Sequence, residues 1–217
     1  MGRNKRDMKE EAMYKDIPAM TPTVVHKYLT EVGEGWTGKG VAIELGSWLG
    51  ATAVPLLKGL VKAGYDKPFY AFDRWEANKP EVEKARRKGV NVYVGKDLLP
   101  LFHHNASQVY NKLSCYKGSI SLNVKQYPGD PIEICLFDAP KQDPVFSDAI
   151  QALSPHWIPG VTILGLLDYY FYKKRPARRE EILVQKRYIE QNAGCFELIA
   201  DWPDQCSCAF FKVKKIP

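Results

Sequence analysis

Val41-Ala42-Ile43-Glu44-Leu45-Gly46-Ser47-Trp48-Leu49-Gly50-Ala51-Thr52 is the stretch on which the fold turns, an apolar run that ends in an acid and two glycines and then opens into a helix. A parallel strand buried on both faces reads as such a short apolar run, and glycine at its carboxyl end lets the backbone turn sharply and approach a ligand. The spacing belongs to neither common phosphate-binding loop. A dinucleotide fingerprint needs G-x-G-x-x-G and a P-loop needs Gly-Lys-Ser/Thr, and neither pattern is present here. What remains is E-x-G-x-x-x-G at a strand-to-helix turn.

About 20 residues after this turn, a second apolar strand, Phe69-Tyr70-Ala71-Phe72-Asp73, again ends in an acid. A carboxylate in that place accepts hydrogen bonds from both hydroxyls of a ribose. Asp is also a common turn residue, and capping the next turn is its other reading. Glu44 and Gly46 upstream favour ligand binding.

Apolar positions Met8, Ala12 and Met13, then Val24, Val25, Tyr28, Leu29 and Val32, recur at helical spacing on either side of Pro18 and Pro22. This predicts two leading helices, or a helix and an arm, over residues 1–38. The glycine turn continues as a helix over 52–63, ended by Gly64, which completes a β-α-β unit. Residues 74–112 are too long for a plain connection and are expected to carry helices of their own, the best placed at 98–110, as a lid over the substrate. Further strands are predicted at 113–116, 132–138 and 160–167, helices at 146–153 and 177–191, and two short terminal strands at 196–200 and 209–213. Strands ending at Glu44, Asp73, Asp138 and Asp168 imply an α/β doubly wound sheet over 39–217, with its working edge at the carboxyl ends of the strands.

The 217 residues are 45% hydrophobic and 12% aromatic, sufficient for one domain with a full core. Five scattered cysteines, Cys115, Cys135, Cys195, Cys206 and Cys208, read as reduced thiols of an intracellular protein. Cys206-x-Cys208 is half of a metal-binding pattern with no second Cys or His pair at ligand spacing. No run approaches the roughly 18 apolar residues of a membrane span and the amino terminus lacks the core of a signal peptide, so a soluble, cytoplasmic protein with no membrane partner is expected. The net charge of +6 is divided among Arg3/Lys5/Arg6, Arg86/Arg87/Lys88 and the run 173–179. Solvated surface charge is the simpler reading of such runs, and a nucleic-acid partner is not demanded.

The series Glu44-Leu-Gly-Ser-Trp-Leu-Gly, Phe72-Asp73-Arg-Trp-Glu76, Tyr116-Lys-Gly118, Phe137-Asp138-Ala-Pro-Lys and Leu167-Asp168-Tyr169-Tyr170 resembles the class I S-adenosylmethionine-dependent methyltransferases. Within that class it is similar to the macrocin-type O-methyltransferases, which act on sugar hydroxyls, over residues 40–213. The resemblance implies a Rossmann-like, seven-stranded sheet, mostly parallel, with a terminal antiparallel hairpin strand, and S-adenosylmethionine as cofactor. It implies that Glu44, Gly46, Ser47, Trp48, Gly50 and Thr52 line the methionine end of the cofactor, that Asp73, followed by Arg74, binds the ribose, that Gly118 and Ser119 flank the adenine, and that Asp138 closes the cofactor site. It also implies a divalent ion, magnesium or another, at Asp138 and Asp168 with Tyr169 beside them. A hard cation on oxygen ligands orients a vicinal diol and lowers the pKa of the hydroxyl to be methylated.

Two positions depart from the family pattern: Leu167 replaces the first acid of Asp-Asp-Tyr, and Pro140 the second acid of Asp-Gly-Asp. Without a metal, Asp138 or Asp168 acts directly as general base, with Lys141 or a histidine assisting. The implied acceptor is a sugar hydroxyl of a glycan or glycosylated metabolite. A catechol-like phenol is the other enzyme reading, weakened by Tyr169 where those enzymes carry Asn. A non-catalytic cofactor-binding module is the third, favoured by Leu167 and Pro140 and opposed by the four intact acids. Methylation of an extruded base lacks its Asn-Pro-Pro-Tyr-like motif. His103 and His104 fall in the lid segment, where paired helical histidines ordinarily place one outward and one against neighbours. Trp48 and Trp75 either shape a sugar pocket or belong to the core. The arm over residues 1–20 packs either on a second copy of the chain, as a homo-oligomer, or over the substrate.

Overall fold

The structure is a computed structural model that describes residues 17–217. Strands β1 (Val41–Leu45), β2 (Phe69–Asp73), β3 (Leu113–Lys117), β4 (Ile132–Phe137), β5 (Ile163–Leu166), β6 (Phe196–Asp201) and β7 (Ala209–Val213) form one seven-stranded sheet in the order β3-β2-β1-β4-β5-β7-β6. The first five are mutually parallel, while β7 enters antiparallel between β5 and β6. The chain winds outward from β1 to β3 and then returns to β4 on the other side of β1. Such a reversal opens a crevice at the carboxyl ends of the two central strands, where ligands of open α/β sheets bind. The Rossmann-like, mostly parallel sheet with its terminal antiparallel hairpin is the one expected.

Burial explains why these segments are strands. Every residue of β1 and β4 is buried, including Glu44 and Glu133, so the central strands read as unbroken apolar runs punctuated by a single acid. Glu133 is structural: its carboxylate accepts from the backbone N–H groups of Thr37, Lys39 and Gly40 and fixes the approach of the chain into β1. Gly165 is needed where β5 meets β7, because a Cβ there would lie 2.6 Å from Leu136 Cδ2 and 2.8 Å from Phe210 Cε1. This strand is shorter than expected, since Gly160 to Thr162 form a turn closed by bonds from Val161 N and Thr162 N to Ile158 O.

By their contacts the described residues divide into two compact units. One comprises residues 17–35, Ser47–Gly64 and Trp75–Asn111 and holds helices α1 (Thr23–Glu34), α2 (Ala53–Lys62), α3 (Lys79–Arg87) and α4 (Leu99–Ser107). Helix α1 matches the second of the expected leading helices; the first, around Met8 to Met13, lies outside the described residues. Helix α3 begins with a capping box, in which Asn78 Oδ1 accepts from Glu81 N at 3.0 Å and Glu81 Oε2 from Asn78 N at 2.8 Å. Helices α1 and α2 cross at glycines: a Cβ on Gly59 would fall 2.0 Å from Thr30 O, and one on Gly33 2.4 Å from Leu56 O. Both obstacles are backbone, so a rotamer change cannot relieve them. Gly59→Ala is therefore expected to lower stability by about 3 kcal/mol and the melting temperature by about 10 °C. Gly194→Ala, which would meet only the flexible end of Lys215, should shift it by no more than about 2 °C, and circular dichroism melts of the two variants compare them directly.

The other unit contains the whole sheet, with helices α5 (Ile120–Asn123), α6 (Val145–Leu153) and α7 (Val184–Gln191). Helix α6 buries Phe146, Ala149 and Leu153, and Phe146 meets Phe137 of β4 edge-on at 5.7 Å. The single charged helix expected over 177–191 is in fact two pieces: a 3-10 stretch, Pro176–Ile182, with Arg178 at φ −115° and ψ 18°, and then α7. Burying the consecutive Ile182 and Leu183, with Gln185 Nε2 donating to Pro140 O at 2.8 Å, overrides the helical propensity of the run. Among the described residues no helix is long and apolar enough to cross a membrane.

Candidate active site

Backbone hydrogen bonds tie the first peptides beyond four of the five parallel strands to the neighbouring strand. Gly46 N donates to Phe72 O at 2.7 Å, Gly118 N to Asp73 O at 2.9 Å, Asp138 N and Ala139 N to Leu45 O at 2.8 and 3.0 Å, and Leu167 N to Phe137 O at 2.9 Å. These bonds extend the sheet past the strand ends and hold the acids that end them in fixed relation. Gly46 sits at φ +99°, and a Cβ on it would lie 2.6 Å from both N and Cβ of Ala139. The glycine of E-x-G is thus required twice, by backbone conformation and by the closeness of the turn after β4.

Four predicted acids and one predicted cation converge on this edge. Burial above all, then the negative charge of Asp168, pushes the Asp138 carboxyl well above the ordinary carboxylate range; Lys141 opposes this, and Glu44 and Asp73 add to it. Asp168, itself buried, is raised by burial and drawn back by Lys141 and then Lys174. Lys141 Nζ donates to Asp168 Oδ2 at 2.7 Å and lies 5.0 Å over the ring of Phe171. Asp73 is half-buried, Arg74 is exposed beside it, and the backbone carbonyl of Ser119 accepts the first bond of α5, from Asn123 N at 2.9 Å.

The residues after Gly46 belong to the helical unit. Ser47 O accepts from Gly50 N at 2.7 Å, Gly50 O from Val54 N at 2.9 Å, and Thr52 is buried. Ser47 Oγ is buried with no hydrogen-bond partner among the described residues. Trp75 is core: it is wholly buried at φ +45°, its Nε1 donates to Trp48 O at 2.9 Å, and its ring lies 5.1 Å from Phe102. Trp48 is buried as well, at φ +41°. Both His103 and His104 are exposed, whereas one outward and one against neighbours was expected of the pair.

Three residues at the sheet edge were not foreseen. Asn123 Nδ2 is buried without a partner among the described residues, 3.4 Å from where a Cβ of Gly118 would stand. Cys208 Sγ donates to Leu167 O at 3.4 Å, and the Cys208 thiol is pushed up by its hydrogen bond to Cys206, by burial, and by the charges of Cys206, Asp138 and Asp168. Cys206 is correspondingly held at about 6, chiefly by the hydrogen bond from Cys208. These thiols are reduced and back the Asp168 turn, where Tyr170 N also donates to Ser207 O at 2.9 Å. Lys174 is the third, through its pull on Asp168. None of the three follows from local spacing.

The expected divalent ion at Asp138, Asp168 and Tyr169 does not fit this arrangement. Asp168 already holds an ammonium at 2.7 Å, which supplies the positive charge that a dication would bring. Leu167, in place of an acid, is buried, and Pro140 O is taken by Gln185. The Tyr169 ring packs on Tyr170 and Phe211 at 4.9 and 5.2 Å, and burial pushes its hydroxyl pKa up, away from a metal-binding phenolate. Among the described residues no three His, Cys, Asp or Glu side chains form a metal-holding group.

No protein-family model matches the sequence, and no curated protein matches it either. Solved structures do resemble it. The O-methyltransferase NovP superposes with a TM-score of 0.63 at 16% identity, over 91% of this chain and 83% of that one. CalS11, a TDP-rhamnose 3'-O-methyltransferase of calicheamicin biosynthesis, gives 0.55 at 13% identity over 98% and 96% of the two chains. TomG, an O-methyltransferase from Streptomyces achromogenes solved in complex with S-adenosylmethionine, gives 0.54 at 14% identity over 99% and 92%. At these identities the likeness is one of fold, and the fold shared is the seven-stranded, Rossmann-like fold of these O-methyltransferases.

Proposed function

We propose that this chain is an S-adenosylmethionine-dependent O-methyltransferase acting on a hydroxyl of a sugar, glycan or glycosylated metabolite, with Lys141 in place of a resident divalent ion. The observation that carries this reading is the convergence of Glu44, Asp73, Asp138 and Asp168 with one ammonium on the carboxyl edge, at the point where the sheet order reverses. The fold likeness supports it, as do the cofactor held by TomG and the sugar acceptor of CalS11.

The residues suit the cofactor. Asp73 would accept hydrogen bonds from the two ribose hydroxyls, Gly46 would let the backbone come close, and the buried Asn123 Nδ2 beside Gly118 would donate to the adenine. Glu44 and Asp138 give the negative surroundings that a sulfonium and an α-ammonium favour. When bound, the cofactor supplies an electrophilic methyl group. The acceptor hydroxyl gives its proton to a carboxylate oxygen of Asp138, whose raised pKa makes it a stronger base than an ordinary aspartate. Lys141 donates to Asp168, opposing the rise that burial gives its pKa, and, as a neighbouring positive charge, lowers the pKa of the hydroxyl.

Calorimetric titration with S-adenosylmethionine and S-adenosylhomocysteine, followed by a methyl-transfer screen over deoxysugar glycosides, tests this reading. Asp73→Ala should weaken S-adenosylhomocysteine binding by about 10–100-fold, the worth of hydrogen bonds to a charged group, with an unchanged melting temperature. Equal affinity in wild type and variant would remove the basis for placing the cofactor here.

A further inference from the structure

We propose that the acceptor carries a phosphoryl group, as a sugar phosphate or a nucleoside-diphosphate sugar, and that the segment following Asp168 binds it; this rests on the methyltransferase reading above. Beyond Tyr169 the chain runs Tyr170-Phe171-Tyr172-Lys173-Lys174-Arg175-Pro176-Ala177-Arg178-Arg179. It forms two 3-10 turns, Phe171–Lys174 and Pro176–Ile182, and residues 173–181 are exposed.

The charges of this segment fall into two groups. Its acids are committed locally: Glu181 Oε2 pairs with Arg178 Nη2 at 2.7 Å, and Glu180 pairs with Arg187. Lys173, Lys174, Arg175 and Arg179 have no carboxylate partner among the described residues. A merely solvated charged face tends instead to mix both signs in i, i+4 pairs. Here the unpaired charges are all positive and cluster directly after a catalytic carboxylate.

Two of them are also held in place. Lys173 Nζ sits 4.7 Å over the ring of Tyr170, and the Arg179 guanidinium 5.5 Å from that of Tyr172. Tyr170 is itself fixed by donating its hydroxyl to Asp201 at 2.6 Å. Cation–π contacts position a cation without neutralising it, so its charge remains available to an anion. Arg178 Nη2 reaches Gln142 Oε1 at 3.2 Å, which joins the segment to the turn carrying Lys141. Phe171 N donates to Asp168 O at 2.9 Å and Lys174 ends the turn that starts at Phe171, so the segment begins at the reacting end, where Lys174 also draws the Asp168 pKa down. A phosphorylated sugar fits this layout, its hydroxyl at Asp138 and its phosphoryl oxygens at Lys174 and Arg175, because Arg and Lys are the side chains that bind phosphate by charge-assisted hydrogen bonds. The basic run is short and single, without the extended stripe that tracks a nucleic-acid backbone.

The test is titration of the full chain, first with S-adenosylhomocysteine alone and then, with that ligand saturating, with inorganic pyrophosphate, uridine diphosphate, glucose 1-phosphate and methyl glucoside. The expected result is binding of the three phosphorylated probes and none of methyl glucoside. Uridine diphosphate binding tighter than glucose 1-phosphate identifies a nucleotide sugar, and the reverse order a sugar phosphate. The double variant Lys174→Glu/Arg175→Glu should weaken pyrophosphate binding by at least tenfold and leave S-adenosylhomocysteine affinity unchanged. For wild type, raising sodium chloride from about 0.05 to 0.5 M should weaken pyrophosphate binding, a check that needs no variant. S-Adenosylhomocysteine binding together with pyrophosphate binding indifferent to both salt and the double variant, or with methyl glucoside bound as well as glucose 1-phosphate, overturns the proposal and leaves the methyltransferase reading standing. Tighter binding of a single-stranded oligonucleotide than of uridine diphosphate overturns it in favour of a nucleic-acid acceptor. Failure of S-adenosylhomocysteine itself to bind defeats the reading on which the proposal rests.

Discussion

Asp138→Asn should cut methyl transfer by about 10²–10⁴-fold, the usual worth of a general base, and at the same time make the protein more stable near neutral pH. The second effect follows from linkage. Burial and the neighbouring acids raise the Asp138 pKa in the folded chain above its unfolded value, so the folded state binds the proton more tightly. Stability is then fully present below the ordinary carboxylate range and is lost as pH rises through the raised pKa. Asparagine keeps the shape of a protonated aspartate and has no proton to lose, so it removes this loss. The variant should melt about 2–4 °C above wild type at pH 8, on the order of 1 kcal/mol, and the two should converge near pH 4. Wild-type kcat/KM should rise with pH over the same window, because only the ionised carboxylate accepts a proton. Thermal melts at several pH values and a pH–rate profile check both halves. A variant that keeps its turnover, or that melts below wild type at pH 8 with native circular dichroism, contradicts the assignment of Asp138 as the base.

Much of the fold and part of this site are legible in the sequence, for a physical reason. A parallel strand covered on both faces must be apolar, and the residue that leaves the sheet at its carboxyl end is the first free to be charged. Glu44, Asp73, Asp138 and Asp168 stand out from their apolar runs for that reason, and Gly46 stands out because no Cβ fits beside Ala139. What stayed hidden depends on neighbours across the sheet rather than along the chain. Lys141 follows Asp138 closely in sequence, but its bond to Asp168, 27 residues away, exists because β4 and β5 pair in parallel register. That bond occupies the Asp168 carboxylate to which the resemblance assigns a metal. Asn123 and Cys208 come to the edge through α5 and β7, with no spacing to announce them. The break at Arg178 reflects burial of Ile182 and Leu183, which helical propensity does not register. Trp75 at φ +45° is a conformation that sequence patterns assign to glycine or asparagine, and it accompanies packing on Phe102 and a bond to Trp48 O.

Lys141→Met is the more severe test, because it removes the ammonium that donates to the Asp168 carboxylate. Methionine keeps much of the side chain's length and its contact with Phe171, so the loss is one of charge. Asp168 and Asp138 would then repel each other without compensation, and both carboxyl pKa values should rise further. Asp168 is 9% exposed but Lys141 is 39% exposed, so solvent screening reduces the cost of the broken pair from the 3–5 kcal/mol of a fully buried bridge to about 1–2 kcal/mol. The sign with pH is defined: Asp168 becomes a group with a strongly raised folded pKa, so the destabilisation should be small near pH 4 and grow as pH rises. The acid limb of the pH–rate profile should move to higher pH, and kcat should fall by about 10²–10³-fold with little change in S-adenosylhomocysteine affinity. In a double-mutant cycle with Asp168→Asn, the second substitution should restore most of the lost stability and none of the rate, because it removes the stranded charge but not the need for a cation near the acceptor oxygen. If Lys141 supplies that charge in place of a metal, wild-type turnover should also be indifferent to a chelator. Turnover abolished by the chelator and restored by magnesium would show that the ammonium on Asp168 is displaced during catalysis, and would return Asp138 and Asp168 to the role of metal ligands.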